Sequence, residues 1–200
     1  SISPIWREVM SACRALEAPQ RVAVLGPAGT FCEQAALEFF GSSVELIHCL
    51  NFDEVFRAAA AGTADFGVVG VENSTEGVVT RSLDLLLPST LSIIGEVSLR
   101  VHHHLLRRQD DLQGVRAICA HPQALAQCQA WITQHLPTVE RRAVASNAEG
   151  ARLASEDASV VALASERAAS LWGLHVVRRA VQDDASNRTR FAVIADPSHH

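Results

Sequence analysis

The chain has no tyrosine, and aromatic residues make up only 5% of it. No block of basic residues stands out, and 17 basic against 22 acidic side chains leave a formal charge of −5. A nucleic-acid surface needs clustered cations and stacking aromatics, so this composition argues against one. The field of the whole molecule will not gather an anionic ligand either; a few local donors must do so. Long apolar runs are also missing. Nothing approaches the roughly 18–20 residues of a membrane span, and Ser1-Ile2-Ser3-Pro4 opens without the basic-then-apolar pattern of a signal peptide. A cytoplasmic protein with no membrane partner is the expectation. The cysteines, Cys13, Cys32, Cys49, Cys119 and Cys128, are odd in number and show no CxxC or Cys/His ligand spacing. They read as reduced thiols. His102-His103-His104 suggests a metal, yet neighbouring side chains on a strand point to opposite faces and cannot converge on one ion. No metal and no cofactor is expected.

What is present is an ordinary globular composition, 200 residues long with 48% hydrophobic and 20% charged residues, enough to bury a core without staples. Residues 1–20 read as the end of an amphipathic helix around Ile5–Cys13 and a linker, Ala18-Pro19-Gln20. Strand and helix signals then alternate. Arg21–Leu25 is a short apolar run ending in a Gly/Pro turn. Thr30 with Glu33 has the spacing of a capping box that opens a helix to Gly41. Strands are predicted at Val44–Cys49 and Phe66–Val71, with a helix Phe52–Ala61 between them capped by Asn51. A further helix should follow Gly77 and stop at Pro88, and Leu91–Leu106 reads as one long bent strand or two. The second half repeats the alternation, with strands near Val115–Cys119, Val139–Val144, Val160–Leu163, His175–Arg179 and Phe191–Ala195. Its helices are predicted at Gln123–His135, from a second capping box Ser146/Glu149 to about Ser155, and at Ser165–Trp172. This is an α/β pattern with largely parallel sheets, and two sheets suit the strand count better than one.

Ligands of open α/β sheets sit beyond the carboxyl ends of strands, which directs attention to three loops. Gly26-Pro27-Ala28-Gly29-Thr30-Phe31 lets backbone approach an anion at a helix start, though no Lys follows and the bland reading is a strand-to-helix turn. Glu72-Asn73-Ser74 places polar groups straight after a buried strand, where a capped turn is the competing reading. Ser186-Asn187-Arg188-Thr189-Arg190-Phe191 offers an arginine fork for a carboxylate, or a solvated turn. A fourth segment, His121-Pro122-Gln123 with Gln127-Cys128, puts a histidine where a strand meets a helix. Such a histidine is either a proton donor or simply hydrogen-bonded.

Taken together and in this order, the four segments resemble prephenate dehydratase over roughly residues 21–195. Any one is weak; the ordered set is specific. The resemblance implies two α/β lobes arranged like a type II periplasmic binding protein, with the active site in the cleft between them. One lobe would hold about 21–97 plus 181–195, the other about 98–180, with a tail at 196–200. Residues 1–20 are similar to the last helix and linker of a chorismate mutase domain, and a phenylalanine-binding ACT domain would follow in the parent chain; both domains are absent here. Cys32 stands where the family usually has Ser or Thr, and Ala120 where Ser is common.

The activity implied is the conversion of prephenate to phenylpyruvate, a step toward phenylalanine, without cofactor or metal. Arogenate dehydratase is the same-chemistry alternative, and a non-catalytic two-lobe anion-binding module the different-class one. By the resemblance, Thr189 hydrogen-bonds the leaving hydroxyl. Thr30, Asn73, Ser74 and Arg190 hold the carboxylates, Gln127 and Phe191 line the substrate, and water, Glu72 or His121 supplies the net proton. A homodimer is implied as well.

Overall fold

A computed structural model describes residues 3–199; the first two residues of the N-terminal segment and the last of the tail lie outside them. The chain divides into two compact units. The first gathers Phe31–Arg100 with the stretch up to Gly26 and the stretch from Arg188. The second gathers Val101–Asn187 with Pro27–Thr30. Each unit has its own α/β core, so the fold class read from the alternation is the one observed.

In the first unit, helix α1 (Pro4–Glu17) precedes strand β1 (Arg21–Leu25). The sheet continues with β2 (Glu45–Cys49), β3 (Phe66–Asn73), the short β4 (Gly77–Val78), β5 (Ser92–Arg100) and the final strand β11 (Arg188–Ala195). Their order is β2-β1-β3-β11-β5, with β4 folded onto β3. β1 runs parallel to β2 and β3, whereas β11 is antiparallel to both β3 and β5. The sheet is therefore mixed, not largely parallel. A parallel neighbour requires a crossover connection over one face, but β11 arrives at the edge where β3 ends and must run back the other way.

Strand alternation sorts the core of this unit. Val22, Val24, Val68, Phe191 and Val193 face α2 (Phe31–Phe40). Ala23, Val69, Ala192 and Ile194 face α3 (Phe52–Ala61) and α4 (Thr80–Leu86). Each large apolar side chain buried this way contributes ~1.5–3 kcal/mol. Asn51 caps α3 as its sequence suggests, accepting from the Glu54 N–H at 2.9 Å, and Gly62 ends it at φ 78°.

The second unit has strands β6 (His104–Arg107), β7 (Ala117–Ala120), β8 (Glu140–Ala143), β9 (Val160–Ala164) and β10 (His175–Arg178). They are ordered β10-β6-β9-β7-β8, and this sheet too is mixed. The helix expected over 123–135 is two, α5 (Pro122–Gln127) and α6 (Gln129–His135). Asp183 explains the break. Its N–H bonds to the Gln127 carbonyl at 2.7 Å and its carboxylate takes the Ala130 N–H at 3.2 Å, so both groups are drawn out of the helical ladder. Helices α7 (Asn147–Glu156) and α8 (Glu166–Trp172) complete the unit. Ser146 caps α7 by accepting from Glu149 N–H, but the Glu149 carboxylate turns to Arg152, so only half of the capping box forms. Residues 181–187, grouped by the resemblance with the first lobe, cluster with the second unit, where Val181 N–H bonds to the His103 carbonyl.

Gly150 sets how closely α7 approaches β7. A Cβ there would lie 2.6 Å from the Cys119 carbonyl oxygen. Gly150→Ala should therefore destabilise the second unit by ~1–3 kcal/mol despite alanine's better helix propensity. Thermal unfolding checks this, the expected outcome being a lower Tm.

Candidate active site

The first unit brings two of the singled-out segments to one edge of its sheet. β3 ends there in Glu72-Asn73 and β11 begins there in Arg188-Thr189, with Asn73 opposite Thr189 and Glu72 opposite Arg190. The register is not regular. Phe191 pairs with Gly70, so Val71 is an extra residue on β3, a β-bulge. The consequence is geometric. Val69 and Val71 both pack toward α3, so strict alternation would send Asn73 to that face as well. The bulge flips the last residues of β3, and Asn73 emerges on the α2 face together with Thr189 and Phe191.

There the Asn73 Nδ2 group donates to Thr189 Oγ1 at 2.8 Å. The orientation of the amide follows from the turn beyond it. Asn73 Oδ1 accepts from Thr75 N–H at 3.0 Å, from Thr75 Oγ1 at 2.6 Å and from Glu76 N–H at 3.3 Å. Gly77 at φ 84° folds the chain back as β4. That hairpin replaces the start of the helix predicted after Gly77, which begins only at Thr80. Ser74 fastens the same edge: its N–H donates to the Arg188 carbonyl and its hydroxyl accepts from Arg188 N–H, both at 2.9 Å. Because Asn73 occupies an acceptor site on Thr189, the threonine O–H remains able to donate.

Arg190 is not brought to this face. It alternates with Thr189 along β11 and points with Ala192 and Ile194 to the α3 side. Its Nε donates to Glu96 Oε1 at 2.6 Å, and its Nη1 lies 3.5 Å from Glu72 Oε2. The Glu96 contact holds the Arg190 pKa above its ordinary value and the Glu96 pKa below its own. Phe191 is buried in the core on the α2 side, 3% exposed, and so belongs to the packing of the sheet rather than to its rim.

Glu33, expected to pair with Thr30, sits fully buried in the first turn of α2 with its carboxylate 2.5 Å from His48 Nε2. Cys32 donates its thiol to the Val68 carbonyl, and burial pushes its pKa up to about 12. It is a neutral packing group and no nucleophile.

The remaining candidates belong to the second unit. Thr30 closes the loop Pro27–Thr30, whose Gly29 carbonyl accepts from Ser165 Oγ at 3.1 Å. His121 is the N-cap of α5. Its Nδ1 accepts from Gln123 N–H at 3.1 Å, and its backbone N–H donates to Asn147 Oδ1 at 2.9 Å. Gln127 Oε1 is 2.8 Å from His103 Nε2 and accepts from Asn187 Nδ2 at 3.2 Å. Burial lowers the His103 pKa, so this network is built around a neutral ring. Of the three neighbouring histidines, His102 and His104 stack at 6.0 Å while His103 turns into the network. Among the described residues no group of three or more His, Cys, Asp or Glu is placed to hold a metal ion. No helix of theirs is long and apolar enough to cross a membrane.

Sequence reasoning missed Glu96, for which a charge in the middle of the apolar run Ile93–Leu99 is a signal. It weighed His103 only as a metal ligand and not as the partner of Gln127.

The ordered motifs agree with the family that comparison finds. Residues 22–199 match the family model described as prephenate dehydratase. The chain belongs to the prephenate dehydratase family. Over 203 residues it is 45% identical to the bifunctional chorismate mutase/prephenate dehydratase of Neisseria gonorrhoeae, a match covering 100% of this chain and 55% of that protein. It is 42% identical to arogenate dehydratase 1 of Petunia hybrida, over 88% of this chain and 42% of that one. Among solved structures, a prephenate dehydratase of Arthrobacter aurescens in complex with L-Phe is 32% identical with a TM-score of 0.79, covering 88% of this chain and 60% of that one. The chain thus spans about half the length of the curated relatives it matches.

Proposed function

We propose that the chain catalyses the decarboxylating dehydration of prephenate to phenylpyruvate, with Thr189 as the group that hydrogen-bonds the departing hydroxyl. Prephenate and one proton give phenylpyruvate, carbon dioxide and water. Aromatisation drives the reaction, so the barrier lies in expelling a hydroxide-like leaving group at neutral pH. The observation that carries the reading is the Asn73-to-Thr189 hydrogen bond at 2.8 Å. A hydroxyl whose acceptor side is already engaged presents its hydrogen outward. A donor fixed before the reaction needs no reorganisation as charge develops on the leaving oxygen.

An alcohol is a weak acid, so Thr189 stabilises the developing charge and water delivers the net proton. Ser74 and the backbone amides that open α2 are the groups proposed to hold substrate carboxylate. Arg190, engaged by Glu72 and Glu96 on the other face, is reassigned from clamping substrate to holding the strands.

The test is direct. Purified chain mixed with prephenate should produce phenylpyruvate, followed by its absorbance in alkali, at a rate unchanged by EDTA. Loss of the rate on chelation, restored by a divalent ion, would show the chemistry to be different. Arogenate run in parallel distinguishes the related reading that the arogenate dehydratase relatives favour; a higher kcat/KM for arogenate would transfer the assignment to that substrate.

A further inference from the structure

We infer that Glu96 is a positioning residue for this reaction, acting through Arg190 and Glu72 to hold the β3 bulge that aims Asn73 at Thr189. The inference rests on the reading of Thr189 given above. Glu96 lies on β5, opposite Ala192, three rungs from Thr189 and on the opposite face. Its link to the site is the Arg190 guanidinium. One planar group reaches carboxylates on both neighbouring strands, Glu96 on β5 through Nε at 2.6 Å and Glu72 on β3 through Nη1 at 3.5 Å. It therefore spans three adjacent strands, β5, β11 and β3, at the rung beside Thr189.

The place of this span gives it a purpose. Glu72 follows Val71, the extra residue of the bulge, and directly precedes Asn73. Two consecutive β3 side chains, Val71 and Glu72, lie on the α3 face. Val71 is held there by apolar packing against the α3 side of the core. Glu72 is only partly buried and is held by Arg190. If Glu72 lets go, the end of β3 is free to slip back toward regular pairing, and a one-residue slip exchanges the faces of Asn73 and its neighbours. Arg190 cannot hold Glu72 squarely by itself, because its side chain has several rotatable bonds. Glu96 fixes Nε, and with it the plane of the fork that presents Nη1 to Glu72. Charge balance agrees: one arginine is shared between two carboxylates, and Glu96 makes the shorter contact.

The three side chains are each about half exposed, so the effect is limited. Glu96→Gln should lower kcat about two- to five-fold, the scale of an exposed ion-pair network, with KM nearly unchanged. Arg190→Gln, which cuts both contacts, should do more in the same direction. Glu96→Asp, which keeps the charge, should recover part of the loss. Two readouts separate positioning from a general loss of stability. In a Thr189→Val background, Glu96→Gln should cost nothing further in kcat, because its route to the substrate is already cut. By NMR, the Asn73 side-chain amide should exchange its hydrogens faster in Glu96→Gln while exchange of the core amides of β3 stays as in the parent. An unchanged Asn73 exchange rate together with a normal kcat would overturn the inference, as would a KM rise without a kcat change, which would make Arg190 a substrate clamp after all. If the parent chain yields no phenylpyruvate, the functional reading fails, and the exchange measurement still decides the role of Glu96.

Discussion

Replacing Thr189 by valine should lower kcat by about 10²–10³, the usual worth of one preorganised hydrogen-bond donor to a developing charge, while leaving the fold intact. Valine is nearly isosteric with threonine and better suited to a strand, so β11 keeps its pairing with β3 and β5. What disappears is one hydroxyl, and with it the proposed donor to the leaving oxygen. The interaction is made chiefly as negative charge gathers on that oxygen, so the loss should fall on kcat and kcat/KM together, with KM little changed. Thr189→Ser keeps the hydroxyl and should retain much of the rate. Its smaller side chain is freer at χ1, but the Asn73 bond still orients it. Steady-state kinetics on the two variants, with circular dichroism to verify folding, decides the matter. A Thr189→Val enzyme of near-normal kcat would remove Thr189 from the mechanism.

Asn73→Asp is the more searching change because it alters one atom and reverses the direction of a hydrogen bond. The oxygen that replaces Oδ1 still accepts from Thr75 and Glu76, so the turn is preserved. The second oxygen, where the amide nitrogen stood, can no longer donate to Thr189. It accepts instead, and an O–H to carboxylate bond is among the stronger ones available. Thr189 would then direct its hydrogen at residue 73 and present only lone pairs to the substrate. The expected kcat loss approaches that of Thr189→Val, about 10²-fold or more. The new negative charge also repels a dianionic substrate, so KM should rise as well, and kcat is the number to read. The sign of the pH dependence makes the prediction specific. As pH falls and the introduced carboxyl takes up a proton, it regains a donor, and the residual kcat should climb relative to the parent measured at the same pH. Asn73→Ala, which merely frees the threonine rotor, should lose less. If Asn73→Asp and Asn73→Ala are equally impaired and neither responds to acid, orientation of the Thr189 hydroxyl is not what Asn73 supplies.

Much of this was legible before any coordinates. Hydrophobic runs of five or so residues ending in Gly, Asn or Ser marked β1, β3 and β9, because a buried strand needs apolar side chains on both faces and must stop where the chain turns. Asn51 and Ser146 announced helix starts because a cap is a local hydrogen bond, made by residues three apart. Elements whose ends depend on partners far along the chain were read less well. Cys128 interrupts a helix because Asp183 takes groups from its ladder, and 55 residues separate the two. Direction within a sheet is likewise invisible locally, which is why the sheets were expected to be largely parallel and the antiparallel run of β11 went unread.

The site divides along the same line. Thr189, Asn73, Ser74 and Glu72 could be picked out as candidates from their chemical types in an ordered set of loops, since those types and their order are properties of the chain alone. Their partnership could not. Period-two alternation along β3 puts Asn73 on the face of Val69 and Val71, and along β11 it separates Thr189 from Arg190. Only the antiparallel register of two strands more than a hundred residues apart, with Val71 bulged out of it, turns Asn73 onto Thr189 and leaves Arg190 to Glu72 and Glu96. The composition and order of the site were thus set by sequence, because side-chain chemistry travels with the residue. Which side chains face one another was decided by tertiary structure, because a single extra residue in one strand reverses the face of those beyond it.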